Sequence, residues 1–123
     1  MIDFQNPIFI KLKEHNGLPD EGIKSLFVPN ENTVQVYKGV RDYIVFTNKR
    51  IIIVNVQGMT GKKKDFTSIP YKNINTFSIE SAGMLDRDCE LEIYISAIGK
   101  LHFEFSGSSN IVAIGQMLAN YIL

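Results

Sequence analysis

The sequence predicts a mainly β fold (α+β): a seven-stranded antiparallel barrel capped by a C-terminal helix and preceded by a short helical N-terminal segment. Three observations lead to this prediction. From Thr33 to Ser106, apolar residues alternate with polar ones and are rich in β-branched and aromatic types, as half-buried strands prefer. Short turns separate these segments, so neighbouring strands should run antiparallel. After Gly107 the apolar spacing becomes that of a helix.

Length and composition indicate one globular domain over residues 1–123, with a helical preface (1–32), barrel strands (33–107) and a capping helix (108–123). Hydrophobic residues make up 45% of the chain and charged residues 21%, which is typical of folded soluble domains. Thirteen basic residues balance thirteen acidic ones. The chain therefore lacks the positive field of a nonspecific nucleic-acid binder, and no nucleic-acid partner is expected.

The sequence also indicates where the protein works. The N-terminal region holds only one short apolar run, which is followed rather than preceded by lysines, and this does not fit a signal peptide. No apolar run approaches the ~20 residues of a membrane-spanning helix. The single cysteine, Cys89, cannot form an intramolecular disulfide. We therefore expect a soluble cytoplasmic protein, with peripheral membrane association as an alternative.

The first thirty residues contain two apolar groups with the spacing of one helical turn. The groups are Ile8, Phe9 and Leu12 after Pro7, and Ile23, Leu26 and Phe27 after the candidate cap Asp20. Because Asn16-Gly17 breaks the chain between them, we predict two short helical pieces.

Seven segments have strand character. The candidate strands are Val34 to Lys38, Tyr43 to Thr47, Arg50 to Gln57, Lys63 to Pro70, Ile74 to Glu80, Glu90 to Ala97 and Lys100 to Ser106. A longer loop over 81–87 should carry the chain from one part of the sheet to the other. In a flat sheet the continuous apolar run Ile51 to Val54 would leave one face and an edge in water, which favours closure into a barrel.

The last segment should form a helix from near Ser109 to Ile122, with Ser108 or Ser109 as cap. One stripe of this helix is apolar and comprises Ile111, Ile114, Leu118, Tyr121 and Ile122. The stripe must be buried, and its nearest apolar target is the open end of the sheet.

Several ordered motifs resemble a known family. They are Arg41-Asp42 with Phe46-Thr47-x-Lys49-Arg50, Gln57-Gly58-x-Thr60-Gly61-Lys62-Lys63, Ser68-Ile69-Pro70-Tyr71-x-x-Ile74, Phe77-Ser78-x-Glu80-x-x-Gly83 and Asp86-x-Asp88-x-Glu90-Leu91. Together they resemble the bacterial pleckstrin-homology-like domains, formerly catalogued as a domain of unknown function. This resemblance implies a pleckstrin-homology-like barrel, a tendency to form ring-like homo-oligomers, and no enzyme activity.

The densest cationic feature is the loop from Gly58 to Lys64, in which Lys62, Lys63 and Lys64 are consecutive. Its glycines could bring backbone N–H groups close to a phosphate. The loop lacks the spacing and the following helix of a P-loop, because strand-like residues come next. The simplest interpretation is a solvated hairpin tip, and the alternative is a site for anionic lipid or another phosphate ligand.

Four further cations lie at predicted strand ends: Lys38, Arg41, Lys49 and Arg50. Pleckstrin-homology-like domains that bind inositol phosphates carry basic residues near the first hairpin, so these four join the candidate anion site. A structural ion pair between Arg41 and the adjacent Asp42, or a turn-stabilising bond, is the competing interpretation.

The apolar preface raises the possibility of an oligomer interface. If Phe4, Ile8, Phe9 and Leu12 do not all fit under the barrel, they leave a patch that a second subunit could cover. The alternative is a preface that folds back onto its own barrel.

Metal and catalytic sites have little support. Asp86, Asp88 and Glu90 alternate and could offer oxygen ligands to Ca²⁺, but three acids without an EF-hand loop are better explained as a solvated strand start. Cys89 and His102 could form a nucleophile pair, yet Cys89 is more easily explained as a small core residue. We therefore expect no catalytic residues, no metal and no cofactor.

The sequence thus predicts a non-enzymatic interaction module that self-associates into a homo-oligomer and presents a loop surface to a further protein partner. The main alternative is a module that binds anionic lipid or a phosphate ligand through its basic loops. A small enzyme or a ligand-storage barrel is a third, remote alternative.

Overall fold

The computed structural model describes residues 1–81, 88–107 and 111–123, and these form one curled sheet with two helices. The elements are β1 (Ile8–His15), α1 (Glu21–Ser25), β2 (Thr33–Lys38), β3 (Asp42–Thr47), β4 (Arg50–Gln57), β5 (Lys63–Pro70), a 3-10 turn (Tyr71–Asn73), β6 (Ile74–Ser81), β7 (Cys89–Ile95), β8 (Gly99–Phe105) and α2 (Ile111–Ile122). The predicted connection over 82–87 and the caps Ser108 and Ser109 lie outside the described residues.

The strands follow the order β5-β4-β3-β2-β1-β8-β7-β6. Every neighbouring pair is antiparallel except β1 and β8, which run parallel. All seven predicted strands are present, each within two residues of its expected ends. The sheet contains an eighth strand, β1, which joins its two halves.

β1 corrects the prediction of a helical piece at Ile8 to Leu12. A bulge interrupts the strand between Phe9 and Leu12, where Lys11 adopts a φ of 55°. The extra residue lets Phe9 and Leu12 both point into the core, while Ile8 and Ile10 face outward. A bulged strand thus produces the spacing of three residues that also marks a helix face.

The second predicted helical piece is confirmed as α1. Asp20 caps it, with Oδ1 accepting a hydrogen bond from the Gly22 N–H at 2.7 Å. Ile23 of α1 is fully buried against outward-facing residues of the sheet, namely Val36, Val45, Ile52 and Val54. The preface therefore covers the outer face of β2 to β4.

The cover formed by α1, rather than closure into a barrel, explains why Ile51 to Val54 are all apolar. All four side chains are buried because they alternate between the inner core and the smaller core under α1. Closure into a complete barrel is not needed, and within the described residues no ladder joins β5 to β6. The predicted mainly β fold capped by a C-terminal helix is confirmed, and its sheet is curled into a half-barrel of eight strands rather than closed.

The inner core lies between the curled sheet and α2, which packs against β6 and the 3-10 turn. Ile114 and Leu118 of α2 are buried, as the apolar stripe predicted. Tyr121 stacks on Tyr71 with ring centroids 5.1 Å apart. Among the described residues, no helix has the length and apolar character that a bilayer span requires.

Candidate functional site

Two turns meet at one end of the sheet: the turn between β2 and β3 and the turn between β4 and β5. The Arg41 guanidinium donates a hydrogen bond to the Gly58 carbonyl at 2.8 Å, and the Val56 N–H donates to the Arg41 carbonyl at 3.1 Å. These bonds join residues 38–41 and 58–63 into one surface, which we call the paired-turn surface.

The paired-turn surface carries four exposed cations, Lys38, Arg41, Lys62 and Lys63. Each turn also has an apolar tip: Val40 is 67% exposed and Met59 is fully exposed. None of the ion pairs found among the described residues involves these four cations. The surface therefore combines unpaired positive charge with exposed apolar side chains.

β1 adds a lysine to this end that sequence reasoning missed. Lys13 is exposed and lies opposite Lys38 in the β1–β2 ladder. Both line a shallow depression of about 560 Å³ that continues to Val40. Lys13 could have been found only by recognising β1 as a strand, since its helical interpretation gave it no neighbour on β2.

The other three cations of the predicted anion site do not belong to the paired-turn surface. Lys49 and Arg50 are at the opposite end of β4, a strand of eight residues that spans roughly 23 Å at ~3.3 Å per residue. Lys64 forms an ion pair with Asp20, the cap of α1. The structure therefore brings together four of the seven predicted cations, places Lys49 and Arg50 at the opposite end of β4, and engages Lys64 in an ion pair.

The Arg50 side chain is held by hydrogen bonds to neighbouring residues and is not open to a ligand. Its Nε and Nη2 donate to Oε2 and Oε1 of Glu31, each at 2.9 Å, and Nη2 also donates to the Leu26 carbonyl. The Glu31 side chain has no exposed surface. Thr47 Oγ1 donates to Glu31 Oε2 at 2.7 Å, and the Val28 N–H donates to Oε1. Arg50 therefore holds the chain that follows α1 in place.

This network sets the protonation of Glu31. Burial by itself would raise the pKa of Glu31, but the hydrogen bonds from Arg50, Thr47 and the Val28 N–H outweigh that effect and hold the pKa below its ordinary value. The carboxylate therefore stays ionised at neutral pH.

Of the two structural roles predicted for Arg41, the turn-stabilising bond is present and the ion pair with Asp42 is not. Arg41 bonds the Gly58 carbonyl instead, and Oδ1 of Asp42 is buried without a hydrogen-bond partner among the described residues. Burial raises the pKa of Asp42, and the charge of Arg41 offsets this only in part. The Arg41 guanidinium consequently stays at the surface.

The predicted oligomer patch is largely internal. Phe9 and Leu12 are buried in the inner core, where the Phe9 ring stacks on Phe103 at 5.2 Å. Phe4 is partly buried against the same core. Only Ile8, at 52%, is well exposed, and the exposed Ile10 lies beside it on the outer side of β1. Phe9 and Leu12 must therefore be removed from any proposed interface.

The candidate nucleophile pair is also ruled out by placement. Cys89 faces the inner core, and burial raises the pKa of its thiol. His102 faces the outer side of β8, where Nδ1 lies 2.9 Å from Oε2 of Glu92 and Nε2 lies 3.2 Å from Oε1 of Glu104. The two side chains are on opposite faces of the sheet. Of the three acids proposed for Ca²⁺, Asp86 lies outside the described residues.

A half-barrel with two tight turns at one end and a C-terminal helix across its open side defines a pleckstrin-homology (PH) domain. Two solved structures support this assignment. One is a DUF1696 family protein with a pleckstrin-homology domain from Shewanella loihica PV-4, with a TM-score of 0.76 and 38% identity over 92% of this chain and 98% of that one. The other is a pleckstrin homology domain from Shewanella amazonensis SB2B, with a TM-score of 0.64 and 40% identity over 84% of each chain.

The chain belongs to the bacterial PH domain family, whose model matches residues 8–122. Its relatives include the uncharacterized protein YjqA of Bacillus subtilis (strain 168), which is 44% identical over 101 residues, or 80% of this chain and 81% of that protein. YozO of the same organism is 33% identical over 100 residues, which is 81% of this chain and 86% of YozO. PH domains as a class are interaction modules and are generally non-catalytic.

Proposed function

We propose that the protein is a non-enzymatic module that binds anionic membrane surfaces in the cytoplasm through the paired-turn surface. The observation that carries this proposal is the combination of two apolar tips, Val40 and Met59, with four cations that form no ion pair with any described residue. A hairpin tip that is merely solvated has no need of exposed apolar side chains at both turns.

The physical basis is the sum of two weak attractions. A lysine or arginine near an anionic bilayer contributes about 1 kcal/mol, and the attraction fades within a Debye length. Apolar tips add burial energy when they enter the boundary between headgroups and acyl chains. Because the chain has no net charge, the attraction must come from this local cluster and should orient the domain with both turns towards the lipid.

Co-sedimentation with vesicles tests this proposal. The protein should sediment with vesicles of phosphatidylcholine and phosphatidylserine, much less with phosphatidylcholine alone, and less as salt increases. The double variant Lys62→Glu/Lys63→Glu and the single variant Met59→Asp should each weaken binding. Lys49→Glu is the matched control, since it alters an exposed lysine at the opposite end of β4.

Binding that is equal on both vesicle types, or unchanged in Lys62→Glu/Lys63→Glu, would contradict membrane docking. A free phosphate ligand is distinguished by the same variants. In that case inorganic phosphate or an inositol phosphate would bind in solution, and Met59→Asp would leave this binding intact.

A second observation favours self-association. α1 and the chain around it cover the outer face of β2 to β4, whereas no described segment covers the outer face of β1, where Ile8 and Ile10 are exposed. We propose that a second copy of the chain covers this strip, in keeping with the ring-like assembly that the family resemblance implies. An oligomer would repeat the paired-turn surface and strengthen membrane binding through avidity.

Light scattering coupled to size-exclusion chromatography tests self-association. At tens of micromolar the protein should elute as an oligomer, and Ile8→Lys should shift it to a monomer without loss of folding. A wild-type monomer at that concentration would contradict this proposal and leave the membrane proposal standing.

A further inference from the structure

The outer face of β7 and β8 gathers one histidine and three glutamates. Glu90 lies opposite Glu104 in the ladder, and Glu92 lies opposite His102. We propose that Glu90, His102 and Glu104 form a binding site for a divalent transition metal of the Zn²⁺ type. No sequence motif marks this site, because only the register of two strands brings residues 90, 102 and 104 together.

The spacing of the ligand atoms fits such an ion. One ligand atom from each residue lies within 4.8 Å of the other two. Nε2 of His102 is 3.2 Å from Oε1 of Glu104 and 3.9 Å from Oε2 of Glu90. Tetrahedral Zn²⁺ with bonds of about 2.0–2.2 Å sets its ligand atoms roughly 3.3–3.6 Å apart. Small side-chain rotations bring all three atoms onto one ion.

The histidine is held in the orientation that metal binding requires. Its Nδ1 lies 2.9 Å from Oε2 of Glu92, and the Lys100 ammonium lies 3.2 Å from the same oxygen. When Nδ1 carries the proton and donates it to Glu92, Nε2 presents its lone pair towards Glu90 and Glu104. A carboxylate behind a histidine in this way is the usual support of a metal-binding imidazole.

The charge distribution also calls for a cation at this position. Glu90 and Glu104 are directly opposite each other, and Glu80 of β6 is opposite Glu90 on its other side. Like charges in directly opposite positions destabilise a sheet. A divalent ion between Glu90 and Glu104 relieves this repulsion.

The strands that carry the ligands are rigid, and there is room for further ligands. On the inner face Leu91, Leu101 and Phe103 are fully buried, so the backbone of both strands is fixed by the core. A cavity of about 300 Å³ adjoins Glu90 and Glu104. It leaves space for water beside these two carboxylates. All three ligands come from one chain, so the site depends on neither membrane binding nor self-association.

Calorimetric titration of the full chain with ZnCl₂, after treatment with a chelator, tests the inference. We expect one equivalent of zinc per chain at micromolar or tighter affinity. His102→Gln and Glu104→Gln should each reduce the affinity by at least about tenfold, and Glu92→Gln by roughly 10–100-fold through loss of the supporting carboxylate. His15→Gln replaces the other histidine, which lies outside the cluster, and should leave zinc binding unchanged.

Cobalt provides a second readout that reports coordination directly. Co²⁺ should give the intense visible absorption of a tetrahedral site in the wild-type protein and in His15→Gln, but not in His102→Gln. Circular dichroism of each variant shows whether it folds, and Glu104→Gln replaces His102→Gln if the latter does not. Zinc binding that is undiminished in folded His102→Gln or Glu104→Gln, or no binding below millimolar zinc, would overturn the inference.

Discussion

The Arg50 guanidinium donates one hydrogen bond to each carboxylate oxygen of Glu31, both at 2.9 Å. This bidentate pair connects the chain that follows α1 to the start of β4. Arg50 extends the connection to β5 through a hydrogen bond from Nη1 to Ser68 Oγ at 3.0 Å. The pair therefore holds the N-terminal segment on the outer face of the sheet.

Replacing Arg50 by alanine should destabilise the fold strongly, because it leaves the buried Glu31 carboxylate without its countercharge. We expect the free energy of unfolding to decrease by about 2–4 kcal/mol. This is slightly less than for a fully buried ion pair, because Arg50 is partly exposed to water. Urea denaturation measures this. Lys49→Ala, at an exposed neighbour, should stay within about 0.5 kcal/mol, and an equal loss in both variants would contradict the assignment.

Glu31 should also make the free energy of unfolding depend on pH in the acid range. Its pKa in the folded protein lies below the unfolded value, so its contribution is complete above the unfolded pKa and is lost as pH falls through the folded pKa. In Glu31→Gln, the free energy of unfolding should therefore decrease less steeply as pH falls. Some decrease remains, because the pKa values of Asp20 and Glu92 are also lowered in the folded protein. Denaturation at a series of pH values checks this, and an unchanged acid slope would count against it.

The bulged strand β1 predicts opposite outcomes at two neighbouring apolar positions. Leu12 has no exposed surface, so Leu12→Ala should cost about 2–5 kcal/mol of stability. Ile8 is half exposed, so Ile8→Ala should change stability by only about 0.5 kcal/mol. A helix with one apolar face would instead make the two substitutions similarly harmful, and chemical denaturation separates these outcomes.

The cover formed by α1 should be essential to the fold. Ile23→Ala empties a fully buried position between α1 and the outer face of β2 to β4, and we expect a loss of about 2–5 kcal/mol. Val112→Ala in α2 is a suitable control, since Val112 is well exposed. If Ile23→Ala were as mild as Val112→Ala in thermal unfolding, the preface would not be part of the cooperative unit.

His102 should give stability the opposite pH dependence, in the absence of metal. Burial would lower its pKa, but hydrogen bonds to Glu92 and Glu104 and the charge of Glu90 raise it overall. Its contribution is therefore complete below the unfolded pKa and is lost as pH rises through the folded pKa. His102→Gln should remove this decline above the ordinary histidine pKa, and NMR titration of the imidazole should show a pKa above about 6.5.

Much of the fold could be predicted because its signals are local. Alternation and turn residues fix the strands from β2 to β8, and the apolar stripe fixes α2. β1 was missed because its bulge at Lys11 gives two inward residues three positions apart, which also describes a helix. The sequence alone suggests barrel closure as the reason for the burial of Ile51 to Val54, since no local signal shows that α1 lies on the outer face of the sheet.

The candidate site was only partly accessible from the sequence. Successive turns of an antiparallel sheet lie at opposite ends, and this rule alone is enough to separate Lys49 from Lys62. The cluster around His102 is different, because it depends on which residue of β7 faces which residue of β8. That register is set by the turn between them, where Ala97 has a φ of 76°, and no motif reveals it.

The position of β1 at the centre of the sheet has a consequence for folding kinetics. Ile8 pairs with His102, so the first strand of the chain must wait for the last before the two halves of the sheet can join. Contacts this distant in sequence slow folding, because the chain loses the entropy of a large loop before it gains their stabilisation. During synthesis the nascent β1 is without β8 until Gly99–Phe105 has left the ribosome, and in that interval aggregation competes with folding.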